Sequence, residues 1–250
     1  MLRRRIIPCL DVSGGRVVKG IEFVNLRDCG EPVAAALRYA EQGADEICWL
    51  NITAGDESWR DLLVQVEQAG VQIDVPLTVG GGVSDEPHVR DLLAAGADKV
   101  SINSAALDRP SLITECAERH GSQCIVVAID ARRQGEGRWE VVANGGRRAT
   151  GRDVVLWAQQ AVEQGAGELL VTSIDSDGTQ QGYAIDLYSE LLEAVNVPII
   201  ASGGASGPSD IADVLEAGVS AALAASIFHD ALHTVEEVKD ACRSRNLPMR

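Results

Sequence analysis

Short apolar runs alternate with amphipathic stretches along the whole chain. The runs at 5–11, 46–51, 75–80, 98–102, 123–130, 168–173, 197–202 and 219–225 are rich in Val, Ile, Leu and Ala. Continuous apolar runs of this length read as strands buried on both faces. Between them, apolar residues recur at helical spacing near 31–42, 57–70, 84–95, 110–119, 152–164, 183–194, 207–217 and 233–244. Strand followed by helix, eight times over, predicts an α/β protein: a single (β/α)8 TIM barrel spanning residues 1–250. A doubly wound open sheet is the structural alternative. No GxGxxG follows the first strand, which weakens it.

An internal repeat favours the barrel. Val75-Pro76 returns as Val197-Pro198, 122 positions later, and the same offset aligns Gly81-Gly82 with Gly203-Gly204. It also aligns Ala95-Gly96 with Ala217-Gly218, Ser104 with Ser226, Gly43-Ala44 with Gly165-Ala166, and Glu46 with Glu168. These matches predict two homologous half-barrels, about 1–122 and 123–250. A helical or propeller repeat would show a much shorter period. Two polar excursions interrupt the pattern. Residues 131–150 contain an alternating Arg138-Trp139-Glu140-Val141-Val142 that predicts a small hairpin, and residues 14–30 read as a long loop.

Composition narrows the function. The net charge of −15 argues against nucleic acid as a partner, because phosphate neutralisation needs clustered Lys and Arg. A phosphorylated small molecule stays open, since backbone N–H groups at helix starts bind phosphate whatever the global charge. The six cysteines form no CxxC pair and read as buried reduced thiols of a cytoplasmic protein. The four histidines, His88, His120, His229 and His233, form no cluster and read as structural or surface groups. No apolar segment approaches transmembrane length, and the apolar stretch after Arg3-Arg4-Arg5 is too short for a signal peptide. Neither a metal site nor a cofactor is expected.

The active sites of such barrels lie at the C-terminal ends of the strands. Asp11 and Asp130 end strands one and five, 119 positions apart, which places two carboxyl groups across the barrel mouth. Such a pair can donate one proton to a bound molecule and remove another. Either aspartate alone could instead be a loop or helix cap. Val79-Gly80-Gly81-Gly82 and Ser202-Gly203-Gly204 end strands three and seven, and Asn103-Ser104 and Ala225-Ser226 end strands four and eight. Glycine lets backbone N–H groups approach an anion, so the duplicated pairing predicts two opposed phosphate sites and a substrate with a phosphate at each end. Tight turns are the alternative role of those glycines. Asp177-Gly178, in a turn after strand six, reads as a substrate contact, with an ordinary Asp-Gly turn as the alternative; the calcium loop it partly resembles lacks its remaining ligands. Lys19, in the first excursion, reads either as a phosphate contact or as a solvated surface lysine. At the opposite face, Arg5, Glu46, Lys99 and Glu168 sit near strand starts. They form either a structural plug or a gate on a passage through the barrel.

The sequence resembles the cyclase subunit of imidazole glycerol phosphate synthase, the HisF family of histidine biosynthesis, over essentially its whole length. The resemblance rests on Arg4-Arg5-Ile6-Ile7-Pro8-Cys9-Leu10-Asp11-Val12, Val17-Val18-Lys19-Gly20, Val79-Gly80-Gly81-Gly82, Gly96-Ala97-Asp98-Lys99-Val100-Ser101-Ile102-Asn103, Val127-Ala128-Ile129-Asp130, Thr172-Ser173-Ile174-Asp175, Asp177-Gly178-Thr179 and Ala201-Ser202-Gly203-Gly204-Ala205. It implies that ammonia from a partner glutaminase reacts with a bisphosphorylated formimino-aminoimidazole carboxamide ribonucleotide. The products would be imidazole glycerol phosphate and aminoimidazole carboxamide ribotide. By the same resemblance Asp11 and Asp130 carry acid–base catalysis, and Lys19 belongs to a mobile loop over the substrate. Asn51, Gly82, Asn103, Ser104, Thr172, Asp177, Gly178, Gly203, Gly204 and Ser226 would contact substrate. Arg5, Glu46, Lys99 and Glu168 would gate ammonia, with Asp98 on the N-terminal face that meets the glutaminase in a heterodimer.

Two positions depart from the family pattern. Leu50-Asn51-Ile52-Thr53-Ala54 stands where the family usually has Asp in place of Asn, which keeps the shape but loses a negative charge. Ser104 replaces a more usual Thr and keeps the hydroxyl. Two other functions compete: the sister isomerase of the same pathway, and an impaired barrel that mainly binds and activates a glutaminase. The Cys9-Leu10-Asp11 opening, Val18-Lys19-Gly20 and the charged ring fit the cyclase better.

Overall fold

A computed structural model describes residues 3–21, 24–53 and 56–250. Positions 22 and 23 of the first excursion and Ala54 of the strand-two motif lie outside the described residues. The eight barrel strands are β1 (Arg5–Ser13), β2 (Ile47–Asn51), β3 (Leu77–Gly80), β4 (Lys99–Ile102), β5 (Ile125–Arg133), β6 (Glu168–Ser173), β7 (Ile199–Ser202) and β8 (Ala221–Ala224). Each runs parallel to the next, and β8 pairs back with β1 through Arg5↔Ala221, so the sheet closes. Strands β3 and β7 begin just after Pro76 and Pro198, later than the apolar runs suggest. Proline has no N–H to give the ladder.

The helices that cover the barrel are α1 (Pro32–Glu41), α2 (Asp56–Gly70), α3 (Glu86–Ala94), α4 (Ser111–His120), α5 (Val154–Glu163), α6 (Ile185–Ala194), α7 (Pro208–Glu216) and α8 (Val235–Ser244). All eight lie where the helical spacing places them. Two short helical turns, Ser104–Asp108 after β4 and Ser226–His229 after β8, were not foreseen. They stand 122 positions apart, at the offset of the repeat.

The expectation of a loop over 14–30 is corrected. Arg16–Ile21 and Val24–Gly30 are strands, the first antiparallel to β1 and the second paired with the first. Gly14 and Gly15 take φ of 56° and 73° between the paired residues Ser13 and Arg16. Positive φ at both positions is what a tight two-residue hairpin turn requires. The second excursion folds as expected and further: Trp139–Ala143 pairs with the end of β5, and Arg148–Asp153 adds a third strand. Both aspartates therefore lie inside extended strands, paired as Asp11↔Val18 and Asp130↔Val142.

Apolar side chains occupy two layers. The larger fills the space between strands and helices and includes the fully buried Tyr39, Trp49, Trp157 and Tyr188. The smaller is made of Ile7, Cys9, Cys48, Val126, Leu170, Ile200, Ala221 and Leu223, whose strands surround the barrel axis. All six cysteines are free. Among the described residues no helix is long and apolar enough to cross a membrane.

Candidate active site

One cavity opens at the C-terminal ends of the strands. Its lining includes Asp11, Lys19, Asp130, Thr172, Asp177, Gly178, Gly203, Gly204 and Ser226, brought together from β1, β5, β6, β7, β8 and the loops that follow them. Asp11 is 8% exposed, with the Lys19 ammonium 3.9 Å from its Oδ2. Burial pushes its carboxyl up to about 6; Lys19 opposes the shift and Asp177 adds to it. Burial likewise pushes Asp130 up to about 6, against the hydrogen bond from Asn103 and with Asp177 again adding. Asn103 Nδ2 donates to Asp130 Oδ2 over 3.1 Å, while its own Oδ1 is buried without a partner. Two carboxyl groups with raised proton affinity, at corresponding positions of opposite strands, suit proton transfer near neutral pH.

The two glycine turns are alike in shape and differ in setting. Gly81 and Gly82 have φ of 87° and 75°, Gly203 and Gly204 of 92° and 110°. A side chain on Gly81 would meet the Asn51 backbone, and one on Gly204 would meet the Gly182 carbonyl. Gly82 has open space around it. Of the expected substrate contacts, Asn51, Gly82, Asn103 and Ser104 do not line the cavity. Asn51 is buried, with Oδ1 accepting from the Thr53 N–H at 3.2 Å and Nδ2 donating to Ser58 Oγ at 3.3 Å. Ser104 Oγ accepts from the Asn144 N–H at 3.2 Å, tying a short helical turn to the β5 hairpin.

The ring at the strand starts is closed by ion pairs. Arg5 bonds Glu46 at 2.6 Å and also bonds Glu168, while Lys99 Nζ lies 2.9 Å from Glu46 and 2.7 Å from Glu168. Thr78 Oγ1 donates to Glu46 at 2.6 Å, a contact the sequence did not suggest. The two cations and two anions neutralise each other, which is what buried charge requires. A second concavity, lined by Arg3, Arg5, Lys99, Gln123, Glu168 and Arg250 among others, lies on the outer side. Asp98 is exposed beside it and accepts from the Leu77 N–H at 2.9 Å.

Sequence comparison decides the family. A model of the histidine biosynthesis protein family matches residues 5–234. The chain is 55% identical over 251 aligned positions to the imidazole glycerol phosphate synthase subunit HisF of Symbiobacterium thermophilum, covering 100% of this chain and 99% of that protein. The chain belongs to the HisF family of histidine biosynthesis. As a HisF chain it is an enzyme, the cyclase subunit of an imidazole glycerol phosphate synthase.

Some residues of this HisF site escaped sequence reasoning. Cys9 and Gln180 line the cavity, the latter with φ of 56°, uncommon for a residue other than glycine. Cys9 reads only as a strand residue in sequence, and its thiol is pushed well above its usual range by hydrogen bonding to Cys48 and by burial. His229 supports the site from behind. Its Nε2 lies 2.9 Å from the Cys9 carbonyl and its Nδ1 2.7 Å from the Tyr39 hydroxyl. A carbonyl can only accept, so Nε2 carries the proton and Nδ1 accepts from Tyr39. Burial pushes His229 down to about 4, in keeping with a neutral ring. Among the described residues no group of three or more His, Cys, Asp or Glu side chains is placed to hold a metal ion.

Proposed function

We propose that this HisF chain uses ammonia supplied by a partner glutaminase to convert a bisphosphorylated formimino-aminoimidazole carboxamide ribonucleotide. The products are imidazole glycerol phosphate and aminoimidazole carboxamide ribotide. The observation that carries the reading is the pair Asp11 and Asp130, the first buried and the second half-buried, both at one cavity and both with carboxyl groups pushed up to about 6. One carboxylate takes the proton of an attacking nitrogen while the other, protonated, delivers a proton to the departing group. Lys19 and Asp177 adjust the charge beside them, and Thr172 and Gly178 hold the substrate between them.

The two phosphates bind at the glycine turns, one at Gly203-Gly204 with Ser226, the other at Gly81-Gly82 with Asn103 and Ser104. The Ser202-Gly203-Gly204 turn and Ser226 line the same cavity as the aspartates, as the loops after strands seven and eight of this fold commonly do for phosphate. Ammonia enters through the Arg5–Glu46–Lys99–Glu168 ring from a glutaminase seated on the N-terminal face around Asp98. The single domain consists of two half-barrels, about 1–122 and 123–250, and the heterodimer works in the cytoplasm without a cofactor.

Turnover of the bisphosphate substrate with free ammonia and no partner tests the reading. Formation of both products supports it. Action on the preceding pathway intermediate would instead identify the isomerase, and no turnover of either would leave a chain that only binds and activates a glutaminase.

A further inference from the structure

Tyr188 on α6 is fully buried, and nothing in the chemistry above uses it. Its hydroxyl reaches from the helix layer to the ends of β6 and β7. The Ser202 N–H donates to Tyr188 Oη over 3.0 Å. The phenol proton has two carbonyls in reach, Val171 O at 3.0 Å and Ser202 O at 2.9 Å. A phenol has one proton, so it serves one of them at a time. One oxygen atom thus joins the two strands at the rungs where Val171 pairs with Ala201 and Thr172 with Ser202. Burial drives the phenol well above its ordinary range, so the group stays a donor.

The next two residues are Gly203 and Gly204. A Cβ on Gly203 would lie 2.6 Å from the Ser173 carbonyl, and one on Gly204 would collide with the Gly182 carbonyl. Gly182 N–H donates to Gly204 O over 2.9 Å. The turn is therefore held on one side by the 173–182 loop and on the other by the Ser202 peptide, which Tyr188 holds. The repeat supplies an internal comparison. At the offset of 122 positions, Ser202 corresponds to Gly80 and Tyr188 to Val66. Val66 is equally buried but has no polar atom to offer.

We propose that Tyr188 is a positioning residue for anion binding at the Gly203-Gly204 turn, acting through the Ser202 peptide without touching the ligand. The proposal rests on the two-phosphate reading above. Only the second-half turn depends on this hydroxyl.

Tyr188→Phe tests it, because the variant keeps the ring and its packing and removes one oxygen. Inorganic phosphate is titrated into ¹⁵N-labelled unmodified protein and variant while the glycine amides are followed by NMR. Turnover of the bisphosphate with free ammonia is measured alongside. The expected result is weaker phosphate binding at Gly203 and Gly204, unchanged binding at Gly81 and Gly82, a KM about three- to tenfold higher and a kcat within about twofold, the scale of one lost buried hydrogen bond. Equal phosphate affinity and equal KM in the two proteins, even with a lower Tm for the variant, would overturn the proposal and leave Tyr188 a packing residue. No phosphate response at Gly203 and Gly204 in the unmodified protein would overturn the two-phosphate reading itself, and this proposal with it.

Discussion

Asn103 gives its amide proton to Asp130 over 3.1 Å, from the end of the strand next to β5. At the corresponding place in the first half, Asp11 faces the Lys19 ammonium at 3.9 Å instead. The two strands thus carry the same carboxyl group and differ in what each one leans on. A neutral amide donor and a cation both favour the ionised form, yet burial outweighs them at each site.

If both carboxyl groups transfer protons, Asp11→Asn and Asp130→Asn should each lower kcat at least about tenfold, since general acid–base groups contribute roughly 10²–10⁴ in rate. Asn keeps the shape and much of the hydrogen bonding, so KM should move far less. Ammonia-dependent kinetics at saturating substrate measure both quantities. A kcat near that of the unmodified protein in both variants removes the pair from the mechanism.

The same burial predicts how stability follows pH. A carboxyl whose folded-state value is about 6, against 3.8 unfolded, stabilises the fold fully only below the unfolded value. That contribution is lost as pH rises through about 6. Asp11→Asn escapes the loss, so its stability gain over the unmodified protein should be larger at pH 8 than at pH 5, by about 1.4 kcal/mol. Urea unfolding at the two pH values reads the difference. An equal gain at both would mean that Asp11 is not raised.

How much of this was legible beforehand depended on where the signal sits. Asp11, Asp130 and the glycine turns stood out because charge or glycine ends an otherwise apolar strand run, and the repeat set them in register. Gly14-Gly15 carried a hairpin signal between Val12-Ser13 and Arg16-Val17, yet the polar, glycine-rich stretch around it read as loop. The short turns at 104–108 and 226–229 are too brief for a helical period to show. Tyr188, His229 and Thr78 were hidden for a different reason. Each acts through polar atoms on a side chain that carries no functional signal in sequence, and only the fold reveals which strand end, ring or backbone group those atoms meet.

Asn51 has a sharper test than its departure from the family pattern first suggested. Its Oδ1 accepts from the Thr53 N–H, and the Ser58 hydroxyl lies close to its amide. A carboxylate could accept from both donors, so Asn51→Asp should fold without new unsatisfied groups. Asn51 does not line the cavity. Its route to the site is through its backbone, against which Gly81 packs, or through the field of the restored charge. If the missing carboxylate limits this chain, kcat with free ammonia should rise in Asn51→Asp. An unchanged or lower kcat would show that asparagine is neutral or adapted here.

The ring of Arg5, Glu46, Lys99 and Glu168 lies at the strand starts, away from the aspartates. Lys99 is its most accessible member, with 18% of its side chain exposed toward the outer concavity. If the ring gates ammonia, Lys99→Ala should change glutamine-dependent turnover with a partner glutaminase more than turnover with saturating free ammonia. Free ammonia has a second route, through the open mouth at the other end. If the ring is only a plug, the loss of Lys99 leaves Glu46 and Glu168 with Arg5 as their one cation. Breaking a buried pair in this way costs about 3–5 kcal/mol. Both activities would then fall together with Tm. The ratio of the two rates separates the cases, measured in Lys99→Ala shown by gel filtration to bind its partner and by circular dichroism to be folded. A ratio that departs from the unmodified value supports the gate. A ratio equal to it rules the gate out, whatever happens to stability.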